Sequence, residues 1–219
     1  MNFSFEIARD LMVENQLRPN KINNTDIIDL FRNIKKENFL FDYNMNISYS
    51  DSEITLDNNR GYLKNLHIAQ LIQHAEIKKS DKILHIGGLT GYVSFLLSSL
   101  CKKLISIENN NKLIEKFETN INNDNKTNIK IINSEFKDGY EISSPYDIIF
   151  IDNPITDIID ALKNQLNSNL GKIIMIVKSN NFLSKAIKIT KNNEYYNVDH
   201  LFDVFTKFEL YKEKKEFVF

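Results

Sequence analysis

The chain is expected to fold as an α/β unit around a mostly parallel sheet, and three stretches of sequence say so. The first is 83–92, Ile-Leu-His-Ile-Gly-Gly-Leu-Thr-Gly-Tyr, which runs apolar into three glycines and then opens an amphipathic segment. Val93, Leu96, Leu97 and Leu100 follow at i, i+3, i+4 and i+7, the stripe of a helix with one buried face, so the stretch reads strand, tight turn, helix. The second observation is the rhythm from Asp81 onward, where apolar runs of strand length alternate with helical stripes. The third is a break in that rhythm. Tyr195–Phe205 and 208–219 are aromatic-rich extended runs with no helix between them, which predicts an antiparallel pair.

Ahead of the core, 5–17 reads as a helix with Ile7, Ala8, Leu11 and Met12 on one face, ended by Pro19. Asn24 or Thr25 caps a second helix carrying Ile27, Leu30, Phe31 and Ile34. The stretch 45–59 is polar, with strand potential around 47–49 and 54–56. A third helix carries Ile68, Leu71, Ile72 and Ala75. Strands are expected at Lys82–Ile86, 103–107, 129–132, 146–151 and 172–177. The fourth is nearly all apolar, as a strand buried on both faces should be. Helices are expected on Leu113, Ile114 and Phe117, on Ile155, Ile158, Ile159 and Leu162, and on Phe182, Leu183, Ala186 and Ile187.

A glycine turn between strand and helix lets a ligand approach the backbone and aims free N–H groups at it, the way a βαβ protein holds a nucleotide-like cofactor. A dinucleotide pattern would need glycine at 87, 89 and 92, and only Gly87 fits. A pattern with an acidic residue followed by x-G-x-G-x-G fits at Gly87 and Gly91, with Leu89 at the middle position and His85 at the acidic one. Glu108 ends the next apolar run, where a carboxylate can accept both hydroxyls of a ribose.

Composition narrows the class. At 219 residues there is room for one good core, and 42% hydrophobic with 26% charged residues is ordinary for a globular domain. A net charge of −1 gives no pull toward nucleic acid or anionic membrane. The single cysteine, Cys101, suits a reducing compartment, and no secretory or membrane-spanning stretch is evident, so a cytoplasmic protein is expected. The four histidines lack metal-ligand spacing.

Taken in order, these motifs resemble the protein-L-isoaspartate O-methyltransferase family nearly end to end. Ala8-Arg9-Asp10-Leu11-Met12-Val13 with Gln16-Leu17-Arg18 is similar to the family's N-terminal helix. The turn at 83–92 sits where the family has V-L-[DE]-[IV]-G-x-G-[ST]-G-Y, and Ser134-Glu135 where it has Gly-Asp. Pro145-Tyr146-Asp147-Ile148-Ile149 is similar to its P-[YF]-D-x-I, and Ala161-Leu162 with Gln165-Leu166 and Gly171-Lys172 to its A-L-x-x-Q-L-x-x-G-G-[RK].

The resemblance implies a Rossmann-like class I methyltransferase: a seven-stranded, mostly parallel sheet with an antiparallel C-terminal strand and an N-terminal helical cap. It implies one domain, with 1–80 as cap and substrate loop and 81–219 as cofactor-binding core. The implied activity is transfer of a methyl group from S-adenosylmethionine to an isoaspartyl carboxylate of damaged protein, so the partner is a protein or peptide. That acceptor, with an unperturbed pKa near 4, is ionised at pH 7 and needs no general base. Implied cofactor-binding residues are Gly87, Gly88, Leu89, Gly91, Glu108 and, near the adenine, Glu135; the substrate loop holds Arg60, Gly61, Leu63 and Lys64. Arg60 or Lys64 could bind an anion.

The chain also departs from the family. Gly61, Leu63 and Asn65 replace a Thr, a Ser and a Pro of the substrate loop. If position 89 needs φ > 0, leucine there costs about 1–2 kcal/mol, and its side chain is expected in the cofactor's space. An alternative reading is therefore a relative that is non-catalytic and kept for binding a partner, or substrate-altered, having lost isoaspartyl recognition with or without cofactor binding; a nicotinamide oxidoreductase comes third, set back by Leu89 and Tyr92.

Overall fold

The computed structural model describes residues 4–157, 160–180 and 183–211. Helix α1 (Phe5–Met12) starts at Ser4, whose hydroxyl accepts from the Ile7 amide. The chain then loosens into a π turn at Val13–Leu17 and a 3-10 turn at Arg18–Asn20, which contains Pro19. Helix α2 (Thr25–Asn33) is capped by Asn24, whose side chain accepts from Ile27 N–H at 3.2 Å. After two 3-10 turns, Lys36–Phe39 and Asp42–Ile47, a small hairpin forms from β1 (Ile54–Asp57) and β2 (Arg60–Tyr62). The strand potential around 54–56 is realised in β1, whereas 47–49 lies at the end of a 3-10 turn. Helix α3 (Asn65–Ala75) leads into the sheet.

Strands β3 (Lys82–Ile86), β4 (Lys103–Glu108), β5 (Ile129–Asn133), β6 (Ile148–Ile155), β7 (Asn169–Lys178), β8 (Leu183–Asn192) and β9 (Tyr195–Phe205) form one seven-stranded sheet in the order β5-β4-β3-β6-β7-β8-β9. The first five in chain order are mutually parallel, linked by α4 (Tyr92–Ser98), α5 (Asn111–Asp124) and the short α6 (Asp160–Asn164). β3 and β6 are neighbours although β4 and β5 come between them in sequence, so the strand order reverses there. Ligands of open α/β sheets bind outside the carboxyl ends of strands at such a reversal.

The sheet is mostly parallel, with the antiparallel strand in the C-terminal portion as the resemblance implies. That strand is β8, and it corrects the expected helix on Leu183, Ala186 and Ile187. It runs against both β7 and β9. Leucine, alanine and isoleucine at i, i+3 and i+4 fit a helical stripe, but here Ala186 packs into one hydrophobic cluster while Ile187 and Ile189 pack into the other. Neighbours that point to opposite faces are what a central strand requires. Tyr195–Phe205 takes β8 as its antiparallel partner, 208–211 form no strand, and the rest of the expected partner run, 212–219, lies outside the described residues. Phe182, Ile158 and Ile159 of the two expected helices lie outside the described residues. Ile155, expected to open a helix, instead ends β6, and Leu162 is buried on α6.

Burial on both faces explains the apolar strands. Ile83, Leu104, Phe150 and Ile174 join Met12, Leu17, Phe31, Ile68, Leu96 and Phe117 under the helices, while Leu84, Ile86, Ile105, Ile149 and Ile151 form a second cluster with Phe136, Leu162 and Leu210. Cys101 is buried, and burial pushes its thiol up to about 12, so it is an inert core residue. Among the described residues no helix is long and apolar enough to cross a membrane, and no group of His, Cys, Asp and Glu is placed to hold a metal.

Candidate active site

The glycine turn lies at the strand-order reversal. Gly87 and Gly91 have φ of 84° and 100°, and the amides of Gly87 and Gly88 both donate to Ile107 O at 3.0 Å, tying the turn to β4. Leu89 has φ 51°, the left-handed conformation expected of that position. Its side chain is 1% exposed and packs within the larger core cluster.

Glu108, at the carboxyl end of β4, is fully buried. Its Oε2 accepts from Leu89 N–H at 2.9 Å, and its Oε1 from the amides of Asn109 and Asn110, each at 3.0 Å. The remaining partner is Arg60 of β2. Arg60 Nη1 donates to Oε2 at 3.0 Å and Nη2 to Oε1 at 2.8 Å, a two-point guanidinium–carboxylate fork. Nη2 also reaches Asp57 at 3.0 Å, and the guanidinium lies 5.0 Å from the centre of the Phe136 ring. Burial alone would lower the Arg60 pKa; the hydrogen bonds and charges of Glu108 and Asp57 more than reverse this, so the group stays a cation above its usual range. Arg60, expected in the loop as a candidate anion binder, is thus 5% exposed and already carries an internal anion.

The hairpin that carries Arg60 is pinned on its other side. Gly61 N–H donates to Asn153 Oδ1 at 3.2 Å, and Asn153 Nδ2 donates back to Gly61 O at 3.1 Å. Glu209 N–H donates to Asn59 O at 2.9 Å and Leu210 N–H to Pro154 O at 2.7 Å, so 206–211 clasps the hairpin turn to the end of β6. Leu63 is buried, and Asn65 is buried between Lys36 and the Ser48 carbonyl. Lys64 lies nearer the surface, paired with Asp51 at 3.3 Å. Glu135 is exposed beyond β5 and accepts from Asn109 Nδ2 at 3.3 Å.

His85, at the acidic position of the glycine-turn pattern, is fully buried. Nδ1 lies 2.7 Å from Ser94 Oγ and Nε2 lies 3.3 Å from Asp152 Oδ1 at the end of β6; Ser94 in turn donates to Ser106. Asp152 Oδ2 is buried without a hydrogen-bond partner. The chain of serine, histidine and aspartate has the connectivity of a nucleophile and base, but each member is at most 1% exposed and no substrate reaches it.

A model of the protein-L-isoaspartate(D-aspartate) O-methyltransferase family matches residues 8–206. The chain belongs to this family. It is 25% identical over 175 residues to a protein-L-isoaspartate O-methyltransferase of Koribacter versatilis, covering 80% of this chain and 78% of that one. It is 24% identical over 191 residues to the enzyme of Geobacter metallireducens, covering 87% and 88%. A solved protein-L-isoaspartate O-methyltransferase superposes with a TM-score of 0.78 at 19% identity, over 94% of this chain and 65% of that one. A Plasmodium falciparum structure described as a putative member of the family, in complex with S-adenosyl-L-homocysteine, superposes with a TM-score of 0.76 at 20% identity, over 94% and 99%. At these identities the two structures speak for the fold.

Set against the family's cofactor, S-adenosylmethionine, the backbone of the site fits and its side-chain packing does not. The turn and Glu108 stand at the carboxyl ends of β3 and β4, beside the strand-order reversal where open α/β sheets bind ligands. Yet a carboxylate offers about four lone-pair sites, and Glu108 already receives five donors. A Cβ built on Gly87 would lie 2.6 Å from Leu210 Cδ1, so the open face of that glycine is occupied. The Tyr92 amide, at the start of α4, donates to Tyr62 Oη at 2.9 Å instead of facing a ligand. Sequence reasoning found Glu108 and the turn. It missed Leu210, Tyr62 and the partnership of Arg60 with Glu108, contacts that the fold brings together from distant parts of the chain and that no local pattern marks.

Proposed function

We propose that this chain is an S-adenosylmethionine-dependent methyltransferase that acts on isoaspartyl carboxylates in protein, a protein-repair activity. The observation that carries the reading is the family match over 8–206 together with Glu108 at the reversal of strand order, gathering the amides of Leu89, Asn109 and Asn110. S-adenosylmethionine supplies the methyl group. This chain's part is to position two ligands, because an isoaspartyl carboxylate is already ionised near neutral pH and asks for no base. The sealed Ser94–His85–Asp152 chain suits that demand and argues against hydrolysis.

Gly87, Gly88, Leu89 and Gly91 form the turn that would approach the cofactor, with Glu108 on the ribose side and the exposed Glu135 on the adenine side. Of the loop residues, Lys64 is assigned to meet an acceptor carboxylate, because Arg60 is engaged with Glu108 while Lys64 lies nearer the surface in a looser pair with Asp51. Cap and core act as one unit, because a single hydrophobic cluster runs from Met12 to Phe208. With its cysteine reduced and buried, the protein suits the cytoplasm.

The test is methyl-group incorporation from labelled S-adenosylmethionine into a peptide containing isoaspartate, beside the same peptide with ordinary aspartate. A base-labile methyl ester on the first alone is expected. Cofactor binding without transfer to either peptide would overturn the substrate assignment.

A further inference from the structure

Resting on the methyltransferase reading, we infer that Arg60 is an internal competitor of the cofactor's ribose: the Arg60–Glu108 fork and a bound nucleoside exclude one another, and the β1–β2 hairpin is the gate. The chemistry of the two occupants is alike. A guanidinium presents two parallel N–H donors to the two oxygens of a carboxylate, and a ribose presents two adjacent O–H donors to the same oxygens. Glu108 receives three of its five hydrogen bonds from backbone amides of its own strand end and of the glycine turn. Those amides are fixed by the fold. The two from Arg60 come from a residue 48 positions away, on a hairpin outside the main sheet. The Arg60 pair alone is donated by a side chain, so a rotamer change or a shift of the hairpin can exchange it while the backbone stays in place.

Arg60 also brings its surroundings with it. Its strand is joined to β6 through Gly61 and Asn153, and the hairpin turn is joined to 206–211 through Asn59 and Glu209. The clasp places Leu210 against Gly87. Release of the fork therefore loosens the hairpin and, through its turn, the side chain that fills the open face of the glycine turn. The cofactor site is closed at two points, by Arg60 of the hairpin and by Leu210 of the segment bonded to the hairpin turn, so movement of the hairpin is coupled to both. Asp57, on the same hairpin, holds the outer side of the guanidinium at 3.0 Å without touching Glu108.

A ligand that binds only the open form has its affinity reduced by the fraction of molecules that are open. Weakening the latch should raise that fraction. S-adenosylmethionine and S-adenosylhomocysteine are titrated calorimetrically into the full chain and into Arg60→Gln and Asp57→Asn, each first checked for cooperative unfolding. Expected is at least tenfold tighter binding of both ligands by Arg60→Gln and a smaller gain in the same direction by Asp57→Asn. In stopped flow, the binding rate of the unaltered chain should level off with ligand concentration, at the rate of opening, and Arg60→Gln should raise that plateau. The second variant leaves Glu108 with its partner, so it reads the latch even if Arg60→Gln folds poorly. Equal affinities in all three proteins would overturn the latch and leave the methyltransferase reading standing. Weaker binding by Arg60→Gln would overturn it by making Arg60 a ligand of the cofactor. Binding by none of them would overturn the latch and the cofactor assignment together.

Discussion

At the scale of single residues the site is governed by one buried ion pair. Removing one partner of such a pair leaves the other charge unpaired away from water, which costs about 3–5 kcal/mol. Glu108→Gln keeps the shape but loses the charge, and Asp57 remains to pair Arg60, so it should destabilise the folded chain by about 2–4 kcal/mol, short of the full cost, in urea unfolding at pH 7. A loss below about 1 kcal/mol would mean that the pair is solvated, as exposed pairs are. Leu89 illustrates two opposed terms. Its positive φ is unfavourable for leucine by about 1–2 kcal/mol. Its buried side chain contributes more, since truncating a buried leucine costs about 2–5 kcal/mol. Leu89→Gly should therefore lower stability by about 0–4 kcal/mol, and an increase would show that strain outweighs packing. The conformation of position 89 was legible because a glycine pattern is a statement about φ. The Arg60–Glu108 pair was not, because no periodicity says which loop side chain will meet a strand end 48 residues on.

At the scale of elements, hairpin and clasp decide whether the site is open. Gly61 shows how closely they are fitted: a Cβ there would lie 2.1 Å from Ile54 O and 2.8 Å from Phe208 Cζ. The first neighbour is backbone and cannot swing away. Gly61→Ala should thus cost about 1–3 kcal/mol, the range for overpacking, and make the hairpin amides exchange faster with deuterated water. Unchanged stability and exchange would show that the hairpin sits loosely on β6. Strands β3 to β7 were legible as apolar runs between turns. β8 was not, because Leu183, Ala186 and Ile187 satisfy a helical stripe and a doubly buried strand equally well. What separates the two is the environment on each face, supplied here by β7 and β9 from outside the segment.

At the scale of the whole molecule, cap and core meet around Lys36, a lysine with no exposed surface. Its Nζ donates to Asn65 Oδ1 at 2.7 Å and lies 5.5 Å and 5.3 Å from the ring centres of Tyr62 and Tyr92. One side chain therefore joins the cap turn, α3, the hairpin and α4. Nothing in the local sequence marked it, since a lysine beside Phe39 and Leu40 normally keeps its ammonium in water. Burial pushes its pKa from 10.5 down to about 7. Between those values the unfolded chain holds a proton on Lys36 that the folded chain has released, so stability rises with pH across the window. The slope approaches about 1.4 kcal/mol per pH unit, and below the window both states are protonated and the slope vanishes. Lys36→Met removes the titrating group while keeping an apolar side chain of similar length. From pH 7 to pH 9 the unaltered chain should gain about 2–3 kcal/mol in urea unfolding relative to Lys36→Met. Parallel curves would mean that Asn65 and the two tyrosine rings hold the ammonium charged throughout, and that cap and core are joined by a buried cation instead of a neutral amine.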